Sequence, residues 1–118
     1  MSYDLAVWEG DRPASDELAE DAFQALYEKY VEAEEPIPPS PRIAAFVAAL
    51  LARWPDITDN DSDASPWASG PLIGEAIGPL LYFPMVWSRA DEASSFAADL
   101  AKQHGLICYD PQTGQLRP

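Results

Sequence analysis

Leu72-Ile73-Gly74-Glu75-Ala76-Ile77, then Gly78-Pro79, then Leu80-Leu81-Tyr82-Phe83-Pro84-Met85-Val86-Trp87: two apolar runs split by a turn dipeptide. Their β-branched and aromatic content predicts a β-hairpin at the centre of the fold. Pro84 has no amide to give a ladder, so it marks a bulge or an unpaired position in the second strand.

Working outward from the hairpin, Tyr3-Asp4-Leu5-Ala6-Val7-Trp8 reads as an opening strand. Tyr3, Leu5 and Val7 fall on one face, and Asp4, Ala6 and Trp8 on the other. Ser15 is placed to cap a helix that runs to about Glu32, with Asp16 and Glu17 in its first turn, where negative charge suits the helix dipole. Leu18, Ala22, Leu26 and Tyr30 recur every four residues and are widened by Ala19, Phe23 and Tyr27 into an apolar stripe. Residues 33–41 hold four prolines and form a stiff connector. Ser40-Pro41 then starts a second helix, with proline at its first position. Ile43, Phe46, Val47, Leu50, Leu51 and Trp54 make its stripe the most deeply buried of the chain.

After the hairpin, Ser88 with Asp91 resembles a capping box. The helix it opens carries Ala93, Phe96, Ala97, Leu100 and Ala101, and Gly105 sits where a helix-ending glycine belongs. Leu106-Ile107-Cys108-Tyr109 is a final strand, followed by a turn at residues 110–114 and a short ending at Gln115-Leu116. The order β-α-α-β-β-α-β predicts a single α+β domain over residues 1–118. Its pattern is the ferredoxin-like βαββαβ with a doubled first helix. The expected sheet is antiparallel in the order 4-1-3-2, with the helices on one face and the other face open.

Charge narrows function more than motif does. The first 63 residues carry 15 acidic and four basic side chains, and the rest carry five and three, within a net charge of −13. Such a field steers the chain toward positively charged partners and opposes nucleic acid. No apolar run approaches the ~20 residues of a membrane span. The amino-terminal residues show no secretory signal, and one cysteine cannot form an internal disulfide, so a reducing cytoplasm is expected.

Catalytic and cofactor motifs are missing. Asp59-Asn60-Asp61-Ser62-Asp63 opens like a calcium loop, but Ala64 and Gly70 stand where that loop needs Gly and Glu, so no metal site is assigned. His104 and Cys108 lie across a glycine turn with no nucleophile motif or oxyanion device beside them. Cys108 reads instead as a small buried hydrophobe. Gly70, Gly74 and Gly78 precede strands rather than a helix, so they cradle no phosphate. No cofactor is expected.

The best lead is an acidic surface with aromatics. Residues 56–70 form a long polar stretch, of a length that in compact domains often serves function. Trp67 within it is the tryptophan least explained by core periodicity. The expected partner-binding set is therefore Asp59, Asp61, Asp63 and Trp67, with Glu34 and Glu35 of the connector as rim, facing a basic protein.

Three segments carry a resemblance: Ser2-Tyr3-Asp4-Leu5-Ala6-Val7-Trp8, Met85-Val86-Trp87-Ser88, and His104-Gly105-Leu106-Ile107-Cys108-Tyr109-Asp110-Pro111. In these the chain resembles small acidic actinobacterial proteins of the polymorphic-toxin immunity families. The resemblance implies a cytosolic, non-enzymatic protein, an immunity protein or antitoxin, that binds and neutralises one toxin. It assigns no contact residues. Two alternatives belong to other classes. One is a small enzyme or ligand-binding domain with its site on the open sheet face, in a pocket at Trp8 and Tyr82. The other is a homo-oligomer that covers that face with its own copy.

Overall fold

The computed structural model describes residues 2–32, 37–56, 65–68 and 70–117. Strand β1 (Ser2–Trp8) leads to helix α1 (Asp16–Leu26), which continues as a π turn over Tyr27–Val31. Helix α2 (Pro41–Arg53) follows, then a 3-10 turn (Leu72–Glu75) and strands β2 (Ala76–Ile77) and β3 (Leu80–Val86). A second 3-10 turn (Trp87–Arg89) opens helix α3 (Ala90–Gln103), and the chain ends in β4 (Ile107–Asp110) and β5 (Gln115–Leu116). The five strands form one antiparallel sheet in the order β2-β3-β1-β4-β5. This is an α+β fold compatible with the ferredoxin-like pattern. It keeps the anticipated 4-1-3-2 order and adds β5 beyond β4.

Local chemistry explains most of the boundaries. Ser15 Oγ accepts the Leu18 amide at 3.2 Å and Ser40 Oγ accepts the Ile43 amide at 3.2 Å, so both helix starts are capped as their sequences predict. Gly105 closes α3 at φ +70°, a backbone conformation that side chains resist. Two boundaries differ from expectation. Ser88 is not the cap of α3; a 3-10 turn intervenes, Arg89 occupies the cap position, and its Nε pairs with Glu92 at 2.9 Å. The first strand of the hairpin shrinks to two residues, since Leu72–Glu75 coil into the 3-10 turn, where the Leu72 amide donates to the buried Asp56 carboxylate at 2.9 Å and the Gly74 amide to Pro71 O. At the turn itself, Gly78 has φ +54°, and a Cβ there would stand 3.2 Å from the Tyr30 ring, so the π turn packs against bare backbone.

The sheet is covered on both faces, which corrects the expectation of helices on one side only. Leu5, Val7, Leu81, Phe83, Met85 and Cys108 face α2 and α3, where Ile43, Phe46, Val47 and Leu50 meet a row of alanines. Ala93, Ala97 and Ala101 are small enough to let the α3 backbone approach closely. On the opposite face Ala6, Trp8, Leu80, Ile107 and Tyr109 are buried under Ala19 and Phe23 of α1, with Tyr27 and Tyr30 of the π turn beside them. The first crossover thus splits its helices, with α2 on the ferredoxin-like side and α1 on the other. Helix α1 covers the Trp8 end of the face on which the pocket and homo-oligomer alternatives rested, while a cleft of about 270 Å³ lined by Ser2, Asp4, Glu75, Tyr82 and Pro84 remains toward its other end. Trp8 is 3% exposed beneath Phe23, its ring centroid 6.5 Å away.

Candidate functional site

Of the six residues expected to bind a partner, Glu34, Glu35, Asp59, Asp61 and Asp63 lie outside the described residues. Trp67 is described and is fully buried, which corrects its assignment as an exposed anchor. The segment around it extends the outer edge of β3. Pro66 O accepts the Val86 amide at 2.7 Å, and the Ala68 amide donates to Pro84 O at 3.0 Å. That pairing turns the indole into the α2/α3 core, edge-on to Trp54 at 5.9 Å and to Phe83 at 5.8 Å. Pro84 therefore sits where only its carbonyl is asked to bond along this edge.

The acidic surface that can be described is the outer side of α1. Asp16, Glu17, Asp21 and Glu28 are exposed, and so is Leu18 at 52%, although four-residue spacing had put it in the buried stripe. The stripe is rotated: Ala19 and Phe23 bury, and Leu18 is turned outward among the carboxylates. Among the described residues, Glu17, Asp21 and Glu28 have no recorded ion pair or hydrogen bond. Like charges crowded on one helix face repel, so a cation arriving there is favoured.

At the amino-terminal end of α1 this surface becomes concave. A cleft of about 340 Å³ is walled by Asp16, Glu17 and Glu20 on one side and by Tyr109, Pro111 and Gly114 on the other. Tyr109 donates its hydroxyl to Glu20 Oε2, and Gln24 Nε2 donates to Glu20 Oε1 at 2.9 Å. These two bonds, Tyr109 first, hold the Glu20 carboxyl below its ordinary value of 4.5 and keep it charged. Asp16 Oδ1 accepts the Leu116 amide at 3.0 Å, which ties β5 to the start of α1.

Two further tyrosines end in carboxylates. Tyr82 donates to Asp4 Oδ2 at 3.2 Å, and Tyr3 donates to Asp110 Oδ2. Burial, aided by the neighbouring carboxylates, pushes both phenols up to about 12. Asp110 is fully buried and also accepts the amides of Gln112 and Thr113, so it fixes the turn that leads into β5.

For covalent chemistry the sequence offered only Cys108 and His104. Burial pushes the Cys108 thiol up to about 12, where it stays protonated and is a poor nucleophile. The His104 ring packs edge-on against Phe46 at 5.8 Å. Among the described residues, no group of three or more His, Cys, Asp or Glu side chains could hold a metal ion. No helix among them is long and apolar enough to cross a membrane. Compared with protein-family models, curated proteins and solved structures, the chain finds no match.

Proposed function

We propose that this chain is a non-enzymatic protein-binding module, an immunity protein or antitoxin that neutralises a basic toxin from the cytoplasm. The observation that carries the reading is the acidic cleft at the start of α1, beside an exposed leucine. Lysine or arginine side chains of a partner would enter between Asp16, Glu17 and Glu20, while the exposed Leu18 offers an apolar anchor that a partner would desolvate within a charged rim. The charges speed encounter, and the apolar contact slows dissociation. Tyr109, in the wall of the cleft, is already committed to Glu20, which pre-organises the carboxylate for a cation.

The test uses the full chain as bait in a lysate of its source organism, washed at low and then high salt, with mass spectrometry of what is retained. One basic protein held at low salt, and lost both at high salt and with a Glu17→Lys/Leu18→Ala double variant, is the expected result. Equal retention by bait and variant would remove α1 from the interface. Substituting Asn for Asp59, Asp61 and Asp63 in the same bait asks whether the long loop contributes, through a slower and less salt-sensitive association.

A further inference from the structure

On a chain of charge −13, three of the seven basic side chains line one cleft. It lies between the loop after β1, the end of α3, strand β4 and the chain segment after β5. Its volume of about 590 Å³ falls within the roughly 300–1,000 Å³ of small-molecule sites. Arg12, Lys102 and Arg117 stand around it, and Asp11 is the one carboxylate among its described lining residues. Arg42 adds to the same side, its Nη1 4.0 Å from where a Cβ on Gly105 would be, and it is loosely paired with Glu9 at 3.8 Å.

These cations are only partly spent on the protein. Arg117 is held at 3.8 Å from the buried Asp110 carboxylate. Arg12 donates to a neutral acceptor, the Arg117 carbonyl, at 3.0 Å. Lys102 has no recorded partner among the described residues, where the ion pairs are made by Arg42, Arg89 and Arg117. The carboxyl end of α3 disfavours an anion, and three of its terminal carbonyls are turned to backbone amides of the closing turn rather than left bare. Leu100 O and Ala101 O accept the His104 amide, Ala101 O also accepts Leu106, and Lys102 O accepts Gly105. Gly10, at φ +140°, has no atom within 4 Å of the place a side-chain carbon would take, so the rim is unobstructed there. The floor is apolar, formed by Ala98, Leu106 and Cys108, and Cys108, protonated and buried, has no reaction to offer there.

We infer that this cleft binds a small organic anion, its carboxylate or phosphate group held by Arg12, Lys102 and Arg117 and its apolar body lying against Ala98 and Leu106. The site is separate from the α1 surface and of opposite sign, so it does not depend on the toxin-binding proposal.

The experiment is a titration of the isotopically labelled full chain with hexanoate, followed by amide proton–nitrogen spectra. Hexyl phosphate and hexylamine are run in parallel. Saturable shifts confined to the amides around Gly10, Lys102–Leu106 and Arg117 are expected with the anions and not with hexylamine. Lys102→Gln, exposed and free to be changed without harm to the core, should weaken binding about tenfold or more, the size of a lost charge-assisted hydrogen bond. The tighter of the two anions names the headgroup. Equal shifts with hexylamine, no saturation with either anion, or unchanged affinity in Lys102→Gln would each overturn the assignment.

Discussion

The two faces of the sheet are built on different principles. Under α2 and α3 the core is largely aliphatic: Leu5, Ile43, Phe46, Leu50, Leu81 and Met85 are all fully buried and bring no polar side-chain atom with them, and Trp67 adds one indole Nε1 that is buried without a hydrogen-bond partner among the described residues. Under α1 the core is aromatic and amphipathic. Trp8, Phe23, Tyr27, Tyr82 and Tyr109 pack ring against ring at 5.2–6.5 Å, and two of the hydroxyls end on carboxylates at the edge. Helix α2 buries Ile43, Phe46, Val47 and Leu50, whereas α1 buries only Ala19 and Phe23. The first face draws its stability mainly from apolar burial, with Tyr3 and Asp110 as its ionisable margin. The second is a more loosely anchored cover whose fit depends on ionised groups. The acidic outer side of α1 is thus mounted on the less deeply anchored of the two covers.

The sharpest way to break this contrast is to empty one face at a time. Phe46→Ala should cost about 3–5 kcal/mol in denaturant unfolding, because a fully buried ring is replaced by a cavity in a close-packed region. Phe23→Ala should cost less and should speed hydrogen exchange in α1 ahead of α2 and α3. Equal losses, with α1 and α2 exchanging together, would show the faces to be one cooperative core.

Asp110→Asn probes the end of the sheet where both faces meet. Its carboxylate serves Tyr3, the Gln112 and Thr113 amides and Arg117 while fully buried. A loss of about 1–3 kcal/mol is expected, read as a lower unfolding midpoint. An unchanged midpoint would mean that the turn before β5 holds itself.

Tyr109→Phe should cost about 1 kcal/mol at neutral pH, since Glu20 is left to water rather than stranded. Its larger effect is on the pH profile. The folded-state pKa of Glu20 is depressed chiefly by Tyr109, so its contribution is present above the ordinary 4.5 and is lost as pH falls below that value. The variant should therefore lose stability less steeply through that acid range. Tyr3 and Tyr82 act oppositely. Their folded-state pKa values are raised to about 12, so their contribution is complete below pH 10 and fades as pH climbs from 10 toward 12. Thermal unfolding across both limbs checks the two signs.

The smallest effect expected is that of Ser15→Ala, about 0.5–1 kcal/mol, from losing the cap bond to Leu18. Because α1 has few buried anchors, the same change should accelerate exchange in its first turn more than Ser40→Ala does in α2.

Much of this was legible in the chain. Caps, alternation and turn residues are local signals, and they gave the element order, the strand order and the two serine caps. The position of α1 was missed: both faces of Leu5-Ala6-Val7-Trp8 are apolar, but alternation alone does not say which helix covers the second face. Trp67 was harder. Its surroundings in sequence are polar, and what buries it is pairing with Met85 and contact with Trp54, which periodicity cannot detect. The exposure of Leu18 turns on a small rotation of the apolar stripe, finer than a four-residue count resolves. The basic cleft was invisible because Arg12, Lys102 and Arg117 are about 90 and 15 positions apart in sequence and meet only through the sheet.

The outermost strands, β2 and β5, are two residues long each. Near the far end of β3 the outer edge is taken by Pro66 and Ala68, with a proline opposite them. A growing fibril recruits chains by zipping backbone onto a long, straight, unpaired margin, and here such a margin is hardly offered. The mutual repulsion of chains that each carry a net charge of −13 works in the same direction, keeping one copy from pairing its backbone with another.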